Sequence, residues 1–383
     1  AAQEARTLYQ KLGDRKMEAM SLLTIVAAHG PTRHKQEALD CAQQALAAFR
    51  ELGDKPNQAK ALHAVAQARV TSDSFGTYSE ALQVAKDALA LYEELDDKRQ
   101  QAQQLLSIAG MNLEREAPEQ AIPPAKQAIQ LFRQIGRDAG AQTAAVSTLV
   151  QAHQAMDEDS AALNTATEGL AWSQNSGDKM QEVLMHDLLA HTHLKNDDVD
   201  AAISSVKEGL AITTEVQDKE SEARLKLTMC QALVKQNNTN AALKSVNEAI
   251  ALLKSLGGMD RDLGTAYHMQ ADVLCMTEDL EGAMEAALNA QESFQEAEDI
   301  NGQGTVQLLI AGLNGASTEA ISTATGALEL FKRAGETRLE GLALNALVDI
   351  NMACKDFDKA LDLATVRRNL LKEAGYRREE ARS

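Results

Sequence analysis

Along this chain, short polar turns separate long stretches in which small or apolar residues return every three or four positions, the spacing of one face of an α-helix. The turns recur as Gly13-Asp14-Arg15, Gly53-Asp54-Lys55, Asp96-Asp97-Lys98, Gly136-Arg137-Asp138, Gly177-Asp178-Lys179, Gln217-Asp218-Lys219, Gly257-Gly258-Met259, Glu298-Asp299-Ile300 and Gly335-Glu336-Thr337. Successive starts lie about 40 residues apart, an internal repeat. A glycine in the left-handed conformation ends a helix, and an Asp side chain accepts from the free amides that open the next. Each turn is therefore the handover from the second helix (B) of one unit to the first helix (A) of the next.

Within each unit, helix B carries small residues seven apart: Ala38/Ala45, Ala81/Ala88, Ala121/Ala128, Ala162/Gly169, Ala202/Gly209, Ala242/Ala249, Ala283/Ala290 and Ala320/Ala327. Two helical turns separate the members of a pair, which puts both on the face that a neighbouring helix approaches closely. Ala360 begins one more pair, but Arg367 stands where its partner is expected. Four residues past the second small position sits a bulky side chain: Tyr9, Phe49, Tyr92, Phe132, Leu253, Phe294, Phe331 and Leu371. Six of the chain's twelve aromatic residues thus share one repeat position, and they are expected to be core knobs rather than a stacking platform for a ligand.

This pattern resembles the tetratricopeptide repeat, in particular the 40-residue form of kinesin light chain and related adaptors, and the resemblance spans essentially the whole chain. Small residues near the start and middle of helix B are signature positions of that family, matched by the Ala38/Ala45 series. The family also places a small residue in helix A. Ala109, Val150, Ala190, Cys230 and Ala271 stand twelve positions before Ala121, Ala162, Ala202, Ala242 and Ala283. The Trp and Gly-Tyr landmarks of the 34-residue repeat and its final Pro are missing, and Pro123-Pro124 fit only the first turn of a helix B. The implied fold is all-α: a right-handed α-solenoid of about nine helix-turn-helix repeats, open at both ends and continuous over residues 1–383. A partial repeat covers 1–12, and full repeats start near 13, 53, 96, 136, 177, 217, 258, 298 and 335. Residues 375–383 read as the start of a further repeat or a tail. With both ends in mid-repeat and no polar capping unit evident, the sequence reads as a segment of a longer chain or complex.

By the same resemblance, helix A residues line a concave groove, here Gln151, Gln154, Asp187, His191, Gln231, Thr265, His268, Asp272, Asn345 and Asp349. Cations are scarce in this set, Arg224 being the main one nearby, whereas chaperone-binding members of the family clamp a C-terminal carboxylate with Lys and Arg. Such a polar, partly acidic groove suits a peptide that offers Lys, Arg or backbone groups.

Composition narrows the function classes. No apolar run approaches the ~20 residues of a membrane span, so direct membrane insertion is not expected. A net charge of -18 would repel a phosphate backbone, which disfavours nucleic acid. The charge is uneven: twelve acidic residues and not one Lys or Arg lie between Arg261 and Lys332. Glu281, Glu285, Glu292 and Glu296 fall opposite the Ala283, Ala287, Ala290, Phe294 stripe, giving an expected acidic ridge on the outer, convex face that would suit a basic partner segment. Arg367, Arg368, Lys372, Arg377, Arg378 and Arg382 form a basic cluster near residue 383.

Candidate chemistry is sparse. Phosphate-binding glycine loops, nucleophile elbows and zinc-protease motifs are absent from the sequence. On a helix, His186 and His193 share a face ~10 Å apart while His191 points elsewhere, so the three cannot readily meet one metal and read as surface or groove-lining residues. Cys41, Cys230, Cys275 and Cys354 form no CxxC pair and read as buried free thiols. That fits the cytoplasm or another reducing compartment, and Ala1 in place of Met leaves organelle import open. No catalytic residue, cofactor or metal is expected. The expected function is a non-enzymatic scaffold or adaptor presenting a curved helical surface to partner proteins or peptides. Two alternatives are a permanent subunit of a large assembly and a peptide-sensing regulator, for which the nonstandard loop Thr71 to Ser79 would be the hinge.

Overall fold

The computed structural model describes residues 2–29, 35–70, 75–136 and 139–374. Part of the expected hinge (71–74), Arg137-Asp138 of one turn, and the 375–383 segment with Arg377, Arg378 and Arg382 lie outside the described residues. Every element among the described residues is an α-helix. A helix B, α1 (Ala2–Leu12), precedes nine A–B pairs: α2 (Arg15–His29) with α3 (Lys35–Glu51), α4 (Lys55–Val70) with α5 (Phe75–Glu94), and α6 (Lys98–Glu114) with α7 (Pro118–Ile135). There follow α8 (Ala139–Ala155) with α9 (Asp159–Ser176), α10 (Lys179–Lys195) with α11 (Val199–Val216), and α12 (Lys219–Lys235) with α13 (Thr239–Leu256). The last are α14 (Asp260–Met276) with α15 (Leu280–Glu296), α16 (Ile300–Leu313) with α17 (Thr318–Ala334), and α18 (Thr337–Ala353) with α19 (Phe357–Glu373). The architecture is an all-α solenoid of helix pairs. It gathers into two compact units, Ala1–Gln181 and Glu182–Ser383.

The turns work as their residues dictate. Asp97, Asp218 and Asp299 open A helices by accepting from backbone amides of the first turn. Gly136, Gly177 and Gly335 close B helices in the left-handed region, at φ 72°, 73° and 72°. The A-to-B turns, which carry no glycine signature in most units, use the same two devices. Asp198, Asp279 and Asp356 cap the helix, each preceded by a left-handed residue, Asp197, Glu278 or Lys355.

All eight small-residue pairs of the B helices are buried, as are Phe49, Tyr92, Phe132, Leu253, Phe294, Phe331 and Leu371, while Tyr9 is half-buried. The knobs fit because helix A offers a socket. A Cβ added to Gly264 would lie 2.8 Å from the Phe294 ring, and one on Gly304 only 2.5 Å from Phe331. A Cβ added to Gly302 would meet the Phe294 ring more closely still. The carbonyls of four knobs are then clipped by a glutamine of the next A helix: Gln58 Nε2 donates to Phe49 O (3.0 Å), Gln101 to Tyr92 O (2.9 Å), Gln142 to Phe132 O (2.9 Å) and Gln303 to Phe294 O (3.1 Å). Burying a phenylalanine contributes roughly 2–3 kcal/mol, and the glutamine fixes the register in which it is buried.

Two B helices depart from this scheme. In α9 and α11 the knob position holds Ser173 and Thr213, both fully buried, whose hydroxyls donate one turn back to Leu170 O (2.7 Å) and Leu210 O (2.9 Å). Beside α11 the missing bulk comes from the A helices instead. Gly209 lies so close to Leu225 and His186 that an added Cβ would stand 2.9 Å and 3.2 Å from their side chains.

Two expectations are corrected, and one irregularity is explained. Pro123 and Pro124 lie beyond the first turn of α7, which begins at Pro118. The helix survives because Asn112 Nδ2 donates to Gln120 O (3.3 Å), the carbonyl that the missing amide of Pro124 leaves open. Of the thiols, Cys41 and Cys230 are buried, but Cys275 is half-buried and Cys354 exposed. Arg367, in place of a small residue, is accommodated by turning its Nε to donate to Gly341 O (3.2 Å).

Candidate partner-binding trough

Eight of the ten expected groove residues fall on two repeat positions; Gln154 and Thr265 do not. Gln151, His191, Gln231, Asp272 and Asp349 are each the thirteenth residue of their A helix, and Asp187, His268 and Asn345 the ninth, one helical turn earlier on the same edge. The second unit brings three of them together. His191 of α10, Gln231 of α12 and Asp272 of α14 rim a trough of about 430 Å³. Leu194, Cys230, Val234, Met269, Val273 and Met276 supply its apolar lining, and Lys195 and Lys235 complete the rim.

Asp187 and His268 flank this trough. Asp187 accepts from the buried Thr228 Oγ1 (2.6 Å), which also lies 3.3 Å from His191 Nε2. His268 Nε2 lies 4.0 Å from Asp272 Oδ1. None of the other expected residues lines the trough. Gln151 donates to Ser147 Oγ of its own helix (3.3 Å), Gln154 is half-buried in α8, Thr265 donates to Arg261 O (3.1 Å), and Asn345 donates to Asp349 (3.0 Å).

Asp272 is the electrostatic focus of the trough. Its side chain is still 58% exposed, yet the flanking helices withdraw enough water to push its carboxyl above the usual range, an effect that His268 opposes. Lys235 is committed within the protein: Nζ donates to Leu194 O (2.5 Å) and to Asp197 Oδ1 (2.6 Å). The two lysines and two methionines escaped the reading of the sequence, although Lys195 and Lys235 stand one turn after His191 and Gln231 in the same register. That reading weighed groups able to hold a peptide by hydrogen bonds and passed over the stems beside them.

The chemistry available here is that of recognition. Burial pushes the Cys230 thiol up to about 11, which keeps it protonated and a poor nucleophile at neutral pH. Among the described residues no three His, Cys, Asp or Glu side chains gather as a metal site requires. His186 is corrected from a surface or groove residue to a core one: it is buried beneath Gly209. His193 is half-buried, 3.7 Å from Asp198, which leaves His191 alone of the three at the trough. On α15, Glu281, Glu285, Glu292 and Glu296 are exposed, with Leu288 exposed among them. No helix among the described residues is long and apolar enough to cross a membrane.

No family model matches the chain, and no curated protein matches it. Solved structures share its fold. The apo form of the quorum sensor NprR from B. thuringiensis is 10% identical, with a TM-score of 0.54 over 95% of this chain and 99% of that one. A Rap protein complexed with Competence and Sporulation Factor is 12% identical, with a TM-score of 0.53 over 94% and 99%. A signal transduction ATPase with a tetratricopeptide repeat sensor from Pyrococcus horikoshii is 13% identical, with a TM-score of 0.53 over 96% of this chain and 55% of that one. At these identities the likeness is one of fold, and the fold is that of tetratricopeptide-repeat proteins.

Proposed function

We propose that this chain is a non-catalytic binding protein that holds a peptide segment of a partner in the trough between α10, α12 and α14. One observation carries the reading: three A helices in succession place a polar group at the same repeat position around an apolar hollow of about 430 Å³. A hollow of that size suits one or a few side chains, with polar groups fixing the orientation of what enters. The Gln231 amide makes no hydrogen bond among the described residues and stands ready for a peptide group. The names of the similar folds, a quorum sensor, a Rap protein in complex with a factor and a repeat sensor, favour the sensing form of this role over a passive scaffold. In that form the bound peptide reports a signal to whatever the chain contacts elsewhere.

A plug tests it. Gln231 is exposed, so Gln231→Trp fills the trough without disturbing the core. Short amidated peptides from a random library are screened against the full chain by fluorescence anisotropy. The wild type is expected to retain a subset that the plugged variant loses, with unchanged circular dichroism. Equal retention by both would remove the trough from the account.

A further inference from the structure

The charges around the trough are not balanced within the protein. From α10 come His191 and Lys195, from α12 Lys235, and from α14 His268 and Asp272. Lys235 is neutralised by Asp197, and Lys195 has an interaction of its own elsewhere in the chain. Asp272 has only His268, at 4.0 Å, and no lysine or arginine within ion-pair distance among the described residues. Along α14 after Arg261, and on through α15 and α16, the chain adds no cation, since residues 262–329 contain neither Lys nor Arg.

Beside this carboxylate lie Met269, Val273 and Met276, the last 46% exposed. A half-desolvated carboxylate without a cation, at the edge of a flexible apolar wall, complements a long side chain with an aliphatic stem and a positive head. Building on the peptide-binding role above, we infer that the trough selects a segment carrying a Lys or Arg side chain, whose stem covers Met269, Val273 and Met276 and whose head pairs with Asp272. An acidic residue at that point of the peptide would meet Asp272 unscreened, so the same group that attracts one class of partner rejects another.

Two dependences follow. Affinity falls with added salt, because the pair is half-exposed. It also falls as pH is lowered, beginning above the range of an ordinary carboxylate, since Asp272 holds its proton more tightly than usual.

Matched peptides test the inference. A retained peptide is made in three forms that differ at one position: Lys, norleucine (the same stem without the charge) and Glu. Each is titrated by anisotropy against wild type, Asp272→Asn and Asp272→Lys, with folding checked by circular dichroism. The Lys form is expected to bind the wild type about three- to tenfold more tightly than norleucine, the scale of a partly screened ion pair. Asp272→Asn is expected to abolish that preference, and Asp272→Lys to transfer it to Glu. Equal affinity for Lys and norleucine, or a Lys preference that survives Asp272→Asn, overturns the inference and leaves peptide binding standing. If the wild type holds no peptide at all, both fall.

Discussion

The stretch from α14 to α17 and the stretch from α10 to α12 solve one packing problem from opposite sides. In the first, helix B supplies the bulk: Phe294 and Phe331 fill sockets made by Gly264, Gly302 and Gly304 of the A helices. In the second, helix B supplies the socket: Gly209 stands on the seam, the knob shrinks to Thr213, and Leu225 and His186 lean in beside Gly209 from the A helices. Which of the two facing helices carries the bulk is free to change. Interiors pack at crystal-like density, so both solutions require the complementary residue to be small.

Substitutions can break this comparison. The largest effect is expected for Phe331→Ala, which empties a filled socket and should cost about 3–5 kcal/mol in chemical denaturation. Gly304→Ala puts a methyl into the Phe331 ring, and although alanine favours helix, a net loss of about 1–3 kcal/mol is expected. Asn112→Ala abandons the Gln120 carbonyl under the two prolines and should cost about 1–2 kcal/mol. Gly209→Ala should cost less than Gly304→Ala, because its nearest neighbour is the end of a leucine that can rotate rather than a ring. A Gly209→Ala variant as unstable as Gly304→Ala would show that the two sockets are equally rigid and would erase the distinction drawn here.

The smallest effect concerns pH. His63 occupies in α4 the repeat position that Asp187, His268 and Asn345 hold elsewhere, and there it is closed off by Gln104, 2.7 Å from its Nδ1. Burial depresses its pKa below 6.5, and the Gln104 hydrogen bond offsets part of that shift. The unfolded chain therefore takes up a proton, as pH falls below 6.5, that the folded chain refuses. Stability should decline over that window more steeply in wild type than in His63→Leu, read as denaturation midpoints against pH. Parallel curves would mean that His63 is as solvated as the open residues of the second unit.

The seam of small residues was legible because it depends on spacing alone, and every pair is buried as that spacing requires. The aromatic knobs were legible for the same reason. Their glycine sockets were not: Gly264, Gly302 and Gly304 sit in the first two turns of their helices, away from the turns where glycine has a local signature, and make sense only once the facing ring is known. The glutamine clips were invisible likewise, since a glutamine in a first turn is ordinary until the carbonyl that it reaches is located. Pro123-Pro124 misled because the helix start was read from the prolines themselves, while Pro118 sets it. At the trough, register alone aligned His191, Gln231 and Asp272, but the apolar wall beside them comes from positions that also face core, and periodicity does not separate core from floor.

The account stands on the trough as the place where a partner is held, and amide hydrogen exchange on the full chain with and without a retained peptide tests this most directly. Added protection confined to the amides of α10, α12 and α14 around His191, Gln231 and Asp272 is the expected result. Protection centred instead on the exposed Glu281 to Glu296 face of α15, with α10 and α12 unchanged, would contradict it.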